Sequence, residues 1–129
     1  MEQSERRTPD FCDESEAYTL FCRGAGFLED GHPAQAVMYL SRALRLEPGK
    51  NSIRETLGRA EFALGHYEAA ANLFEEVVAD VPDCDYAHYA LARCLRLLGR
   101  REEARGHLRL ARALHPQCAA YRERLDGVD

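Results

Sequence analysis

The chain has 129 residues, of which 46% are hydrophobic and 30% are charged, and its formal net charge is -5. This composition is typical of one soluble globular domain and excludes an intrinsically disordered chain. The negative charge argues against a general nucleic-acid binder, and no apolar run reaches the roughly 18–20 residues that a membrane span requires.

The N-terminal sequence and the cysteines indicate a cytoplasmic protein. Residues 1–14 contain no apolar segment of the kind that a secretory signal needs. The five cysteines are odd in number and form no C-x-x-C pair, so they predict free thiols rather than a disulfide framework or a zinc site. Lys50 is the only lysine among 17 basic residues, which is typical of GC-rich bacterial genomes. We therefore expect a bacterial, cytoplasmic protein.

Residues that end or separate helices recur along the chain with a period of 34. The recurring sets are Gly31, Gly65 and Gly99; Ala36, Ala70 and Ala104; and Pro48, Pro82 and Pro116. A fixed period of this length is the signature of a stacked repeat, in which each unit buries its apolar face on the next.

Each period contains two apolar stripes with the 3,4 spacing of an amphipathic helix. The first of these helices is expected to run from Asp13 to about Glu29. The others are expected near Pro33–Leu46, Ser52–Leu64, Tyr67–Asp80, Asp85–Leu98, Arg101–Leu114 and 117–126.

Helix starts are predicted from capping boxes, in which an N-cap side chain and a glutamate three residues later satisfy first-turn amides. Asp13 with Glu16 and Ser52 with Glu55 have this spacing. Residues 1–12 are polar and without periodicity, so they predict a flexible tail. Tyr121 and Leu125 are expected to cover the open end of the stack.

Turns of two or three residues between helices of about 13 residues make the two helices of each pair antiparallel neighbours. The predicted fold is therefore all-α, an α-solenoid of three antiparallel helix-turn-helix repeats with a short capping helix. The predicted organisation is one domain over residues 13–129.

The middle repeat, residues 51–84, resembles the tetratricopeptide repeat. The residues that carry the resemblance are Leu57, Gly58, Gly65, Tyr67, Ala70, Phe74 and Pro82. Residues 17–50 and 85–118 match less fully, with Arg23, Pro33 and Arg101 departing from the pattern, and residues 119–126 form the cap. The resemblance implies a protein-interaction module, an adaptor or scaffold whose first helices line a concave groove for a peptide or helix.

The resemblance also indicates which side chains face that groove. Carried onto this chain, the candidate groove residues are Tyr18, Phe21, Glu55, Arg59, Phe62, Tyr86, Tyr89, Arg93 and Arg96. The four from the third repeat share one helix face by their 3,4 spacing, independently of the resemblance. Aromatic residues and arginines are enriched at binding hot spots, so the expected ligand carries acidic and apolar residues.

Some tetratricopeptide proteins bind a C-terminal carboxylate with lysine, asparagine and arginine side chains. The matching positions here are Phe21, Ala25, Thr56, Tyr86 and Ala90, and none of them has such a side chain. A chaperone-tail adaptor of that kind is not expected.

Charge is divided unevenly between two repeats. Residues 51–84 carry two basic and seven acidic residues, a balance of -5, and residues 85–118 carry seven basic and three acidic, a balance of +4. Arg101, Arg105, Arg109 and Arg112 form a stripe, but the interleaved glutamates favour a solvated face over nucleic-acid binding. The expected state is a monomer or a weak homo-oligomer.

Two alternative functions remain open from the sequence. One is a small bacterial chaperone of the secretion-chaperone type, which holds a client in the same groove. The other is a thiol- or metal-dependent activity at Cys84, His88 and Cys94, which lie on one predicted helix. No phosphate loop, H-E-x-x-H or G-x-S-x-G motif is present, so we expect no enzymatic activity, no metal site and no cofactor.

Overall fold

The computed structural model describes residues 15–122, and these residues form seven α-helices and no strand. In chain order the helices are α1 (Glu16–Glu29), α2 (Pro33–Leu46), α3 (Asn51–Ala63), α4 (Tyr67–Asp80), α5 (Asp85–Leu97), α6 (Arg101–Leu114) and α7 (Ala119–Arg122). None of these helices combines the length and the apolar character needed to cross a membrane. The prediction of an all-α solenoid is confirmed.

A glycine turns the chain back between the two helices of each repeat. Gly31, Gly65 and Gly99 have φ values of 85°, 83° and 83°, a left-handed conformation that side chains with a Cβ rarely adopt. In the second turn the Gly65 amide donates to the Phe62 carbonyl at 2.9 Å, which satisfies one of the free carbonyls at the end of α3. The predicted role of these glycines is confirmed.

The core runs along the stack as three clusters of buried side chains. The first contains Ala17, Leu20, Ala43 and Ile53, the second Ala36, Leu40, Leu57 and Ala60, and the third includes Ala71, Phe74, Leu91, Leu95 and Leu108. Every cluster joins residues of two successive repeats or of three successive helices. No helix therefore buries its apolar stripe alone, as expected for stacked repeats.

Gly58 lets α3 and α4 approach closely. A Cβ atom at this position would lie 2.8 Å from Cζ of Phe74, inside van der Waals contact. Phe74 itself is 1% exposed, so its ring has little freedom to move away. The small residue at 58 thus fixes where the Phe74 ring lies, and this ring lines the site described below.

The N-cap of α1 is Ser15 rather than Asp13. The Ser15 hydroxyl accepts a hydrogen bond from the Tyr18 amide at 2.9 Å, and the helix begins at Glu16. The prediction that Asp13 and Glu16 cap the helix is wrong because the helix begins directly after a serine that makes the same bond. Asp13 lies outside the described residues.

The capping box predicted at Ser52 and Glu55 is also wrong. The helix begins one residue earlier, at Asn51, and its N-cap residue, Lys50, makes no side-chain capping bond. Ser52 is therefore inside the first turn, where its carbonyl accepts a hydrogen bond from the Thr56 hydroxyl at 2.9 Å. The Asn51 side chain donates to Asp80 at 2.9 Å and so ties the start of α3 to the end of α4.

The last helix begins at Ala119, two residues after the start predicted at position 117, and its described part runs over Ala119–Arg122. Residues 123–126, which include Leu125, and the predicted tail at 1–12 lie outside the described residues. Tyr121 is 5% exposed and packs on the third repeat.

Candidate functional site

A pocket of about 190 Å³ lies between α3 and α5 and reaches α4. Two arginines, three aromatic rings and one small residue line it: Arg59, Phe62, Phe74, Tyr86, Ala90 and Arg93. Four of these side chains, two from the middle repeat and two from the third, are candidate groove residues from the sequence. The stacking of the two repeats therefore brings four of the nine candidate residues around one cavity.

Arg93 lies over an aromatic ring of the neighbouring repeat. Its Cζ is 4.6 Å from the centroid of the Phe62 ring and 5.9 Å from that of Tyr89. Such cation–π contacts hold the guanidinium by its face, and the N–H donors at its edge are not consumed by them. Among residues 15–122, no ion pair or hydrogen bond engages the Arg93 side chain, so its donors are available to a ligand.

Tyr86 contributes a neutral phenol to the pocket. Its ring meets Phe74 edge to face, with centroids 6.2 Å apart and an interplanar angle of 77°. Burial raises the pKa of the Tyr86 phenol, Arg59 opposes this shift, and Glu55 adds to it. The hydroxyl therefore keeps its proton near neutral pH and acts as a hydrogen-bond donor beside two guanidinium groups.

Glu55 does not line the pocket, because its carboxylate is used at the boundary between two repeats. The Cys84 thiol donates to Oε2 of Glu55 across 3.6 Å. Burial raises the pKa of the Cys84 thiol, the Ala87 amide opposes the shift, and the Glu55 charge adds to it. Cys84 is therefore a protonated donor to Glu55 and not a reactive thiolate.

Tyr89 lies at the end of the candidate site nearest α7. Its ring is 5.0 Å from that of Tyr121, measured between centroids. The Tyr121 hydroxyl donates to Asp85 at 2.8 Å, and Nε of Arg112 donates to the Tyr121 carbonyl at 2.6 Å. These bonds fix Tyr121 against the third repeat. The Tyr121 ring therefore covers the side of Tyr89 that faces α7.

Three other candidate residues also lie outside the pocket. Tyr18 and Phe21 are half-buried and pack against the first core cluster. Arg96 is on α5, and its Nε is buried without a hydrogen-bond partner in the described part of the chain. The first repeat thus contributes no wall to the pocket between α3 and α5.

Three residues near the site are absent from the candidate set. Phe74 is predicted only as one of the residues that carry the family resemblance, and nothing in its spacing shows that its ring also borders a cavity. Ala90 lines the pocket at a position that the family resemblance links only to carboxylate binding. Tyr121 was expected as an end cap, but its contact with Tyr89 depends on how α7 folds back, which spacing along the sequence does not show.

The side chains proposed for thiol or metal chemistry do not share a site. Cys84 is bonded to Glu55, and His88 contacts Pro82 and His107. Cys94 is buried in the core, and burial raises the pKa of its thiol to about 11. Among residues 15–122, no three His, Cys, Asp or Glu side chains are placed to hold a metal ion.

Two of the four arginines in the α6 stripe are engaged by neighbouring groups. Arg105 bonds to Glu102 at 3.0 Å, and Arg112 donates to the Tyr121 carbonyl. These contacts agree with the interpretation of this stripe as an outer face in which glutamates are interleaved.

The sequence profile of the tetratricopeptide repeat family matches residues 27–84 and 61–124. Superkiller complex protein 3 of Mus musculus is 35% identical over 82 residues, which are 64% of this chain and 5% of that protein. The chain therefore spans only a small part of the length of this relative.

Two solved structures show the same fold. The first tetratricopeptide domain of Spaghetti (RPAP3), bound to the HSP90 peptide SRMEEVD, aligns with a TM-score of 0.78 and 18% identity over 82% of this chain and 84% of that one. The Yersinia enterocolitica type III secretion chaperone SycD, in complex with a peptide of the translocator YopD, aligns with a TM-score of 0.72 and 19% identity. This alignment covers 80% of this chain and 79% of that one. The profile match covers most of the chain and agrees with the glycine, alanine and proline period and with the observed stack. The chain belongs to the tetratricopeptide repeat family.

Proposed function

We propose that this protein is an interaction module that holds an acidic segment of a partner protein in the pocket between α3 and α5. The observation that carries the proposal is the pocket itself, in which two arginines and three aromatic rings of two repeats surround one cavity. The fold generally serves protein interaction, and we propose neither an enzymatic activity nor a cofactor.

The chemistry of the lining favours a ligand with both a negative charge and an apolar anchor. Arg59 and Arg93 supply two cations, and no carboxylate is among the residues that line the pocket. Phe62, Phe74 and Tyr86 offer ring surface to an aromatic or aliphatic side chain, and a cavity of about 190 Å³ has room for one such side chain. Aromatic and arginine side chains that become buried on binding dominate the binding energy at interfaces.

The similar structures support peptide binding as the use of this fold. The Spaghetti domain is bound to an HSP90 peptide, and SycD is in complex with a peptide of YopD. The positions that would bind a C-terminal carboxylate are occupied here by Phe21, Ala25, Thr56, Tyr86 and Ala90. We therefore propose that acidic side chains within the partner segment, rather than its C-terminus, meet Arg59 and Arg93.

Fluorescence polarisation with defined peptides tests the proposal. The probes are labelled ten-residue peptides in which one aromatic residue is flanked by aspartates and glutamates, and the comparison peptides replace these acids with lysines. We expect the acidic probes to bind and the basic peptides not to bind. Arg93→Glu should weaken binding at least tenfold, because it reverses a charge in the pocket.

Arg109→Glu is the matched control, since Arg109 is an exposed arginine on α6 outside the pocket. The same charge change there should leave affinity within about twofold, because Arg109 does not line the pocket and an exposed charge is screened by salt. Equal losses in both variants would show that net charge, and not the pocket, drives binding. Absence of binding to every acidic probe would contradict the proposal.

We further propose a cytoplasmic protein that acts as a monomer or weak homo-oligomer. The cysteines described, Cys22, Cys84, Cys94 and Cys118, are free thiols, which is typical of a reducing compartment. Light scattering separates the adaptor from the client-holding chaperone. A monomer favours the adaptor, and a stable dimer that depends on the N-terminal residues favours the chaperone.

A further inference from the structure

A pair of histidines joins the two helices of the third repeat. Nδ1 of His88 on α5 lies 3.0 Å from Nδ1 of His107 on α6, and the two rings are stacked with centroids 5.2 Å apart. Nε2 of His88 lies 2.7 Å from the carbonyl oxygen of Pro82, in the turn that precedes α5. His88 is 3% exposed and His107 is half-buried, so the contact lies at the edge of the buried interior of the repeat.

The contacts of His88 determine where the hydrogens lie. The Pro82 carbonyl can only accept, so Nε2 of His88 carries a hydrogen and donates it. In the neutral ring Nδ1 of His88 then has a lone pair, and it accepts from Nδ1–H of His107. Two helices and one turn are thus joined by two hydrogen bonds that require a defined protonation state.

The other two repeats have no histidine at the equivalent positions. Counting back by 34 residues, His88 corresponds to Arg54 and Leu20, and His107 corresponds to Leu73 and Tyr39. None of these side chains changes charge between pH 5 and 8. A response to mild acid at this contact is therefore specific to the repeat that supplies Tyr86 and Arg93 to the pocket.

We propose that the His88–His107 pair is a proton-sensitive latch that holds the third repeat in its native packing and weakens it when both imidazoles are protonated. The pair tolerates one added proton. His88 then carries a hydrogen on both ring nitrogens and donates from Nε2 to the Pro82 carbonyl and from Nδ1 to His107. Nδ1 of His107 can accept this bond because its own hydrogen has moved to Nε2. A second proton removes the acceptor, so that two N–H groups and two positive charges face each other in a contact whose His88 ring is buried.

The charged and titratable neighbours of the pair do not cancel this effect. Glu103, one turn before His107 on α6, favours the protonated ring, but its carboxylate is already bonded to Arg100 at 2.6 Å. Cys84, the N-cap residue of α5, is a neutral thiol donor to Glu55. From the turn before α5, the contact with His88 is the uncharged Pro82 carbonyl.

The pKa of His107 supports the direction of the response. Burial lowers this pKa below its usual value, His88 lowers it further, and Glu103 opposes the shift. A base whose pKa is lower in the folded state contributes stability that is present above the unfolded pKa of about 6.5. That stability is lost as the pH falls below this value, because the unfolded chain then binds more protons.

Thermal unfolding at pH 7.5 and 5.5 tests the latch without any ligand. The double variant His88→Leu, His107→Leu installs leucines like those at positions 20 and 73, and His66→Gln is the control because His66 is exposed in a turn and bonded to Glu61. Each protein is compared with itself at the two pH values. Between pH 7.5 and pH 5.5, the melting temperature of the wild type and of the control should fall by at least about 3 °C more than that of the double variant. Equal falls in all three proteins would overturn the proposal.

The histidine ring signals of the wild type give a second measurement that requires no variant to fold. The His107 ring should titrate below its usual value of about 6.5, because burial and the neighbouring His88 ring disfavour its protonated form. Titration of His107 at or above that value would overturn the proposal.

The consequence for binding rests on the proposed function. The acidic probe should bind the wild type at least threefold more weakly at pH 5.5 than at pH 7.5, and the double variant should show no such loss. Equal losses in both proteins would overturn the coupling of the latch to the pocket. If the probe does not bind even at pH 7.5, the proposed function fails, and the unfolding and ring measurements still decide the latch.

Discussion

The guanidinium carbon of Arg93 lies 4.6 Å from the centre of the Phe62 ring, although the two residues belong to different repeats. This contact joins α5 to α3 and at the same time places a cation beside an aromatic surface. The pocket is therefore a product of how two repeats stack, and neither repeat contains it alone.

Replacement of Arg93 by lysine tests the importance of the planar contact. Lysine keeps the positive charge but cannot lie flat on the Phe62 ring or offer five donors in one plane. An exposed cation–π contact is worth about 0.5–1 kcal/mol, so we expect acidic-probe affinity to fall about two- to fivefold. Fluorescence polarisation measures this affinity. If Arg93→Lys binds the probe as tightly as the wild type does, the contact between Arg93 and Phe62 does not contribute to binding.

Gly58→Ala should destabilise the protein by about 1–3 kcal/mol, because the new methyl group would collide with the Phe74 ring. Gly26→Ala is the matched control in α1, since a Cβ there meets nothing within 4 Å. This control should be stabilising by roughly 0.5–1 kcal/mol, the usual advantage of alanine over glycine in a helix. Urea unfolding measures both, and equal effects would show that α3 and α4 are not in close contact at Gly58.

Tyr121→Phe removes the hydrogen bond to Asp85 and should cost about 0.5–1.5 kcal/mol at pH 7. That bond is the main reason why the pKa of Asp85 is lowered in the folded protein. Its contribution to stability is therefore present above about 3.9, the pKa of an aspartate in the unfolded chain, and is lost as the pH falls. The difference between variant and wild type should therefore shrink at pH 3. Tyr67→Phe is the control, and urea unfolding at both pH values checks the expectation; a constant difference would contradict it.

Glu55→Gln should speed the alkylation of Cys84 by iodoacetamide. The Glu55 carboxylate helps to raise the pKa of this thiol, second to burial among the causes that raise it, so its removal increases the thiolate fraction. Mass spectrometry of the modified peptide gives the rate. Glu61→Gln is the control, since Glu61 bonds to His66 instead. A Cys84 rate that does not change in Glu55→Gln would argue against the thiol–carboxylate contact.

The architecture was predictable because the residues that determine it act locally. Gly31, Gly65 and Gly99 each reverse the chain by their own backbone conformation, and the apolar stripes repeat with the helical period. The failures at Asp13 and Ser52 are also local. At α1 a second capping residue, Ser15, lies two positions after Asp13 and takes the helix start. At α3 the helix begins after Lys50 without any side-chain cap, and sequence spacing does not locate such a start.

The candidate site was less predictable because it depends on distances between repeats. Arg59, Phe62, Tyr86 and Arg93 meet around one cavity, but Phe74 joins them only because Gly58 admits its ring. Tyr18 occupies the repeat position equivalent to Tyr86 but packs against the first core cluster instead. Equivalent positions in a repeat therefore do not imply equivalent surroundings.

Mapping of the acidic probe onto the protein by amide chemical shifts tests the central claim most directly. We expect the largest changes at Arg59, Phe62, Tyr86 and Arg93, and little change along the cleft of the first repeat that is lined by Cys22, Phe27 and Tyr39. Largest changes in that first cleft, or on the arginine stripe of α6, would contradict the assignment of the ligand to the pocket between α3 and α5.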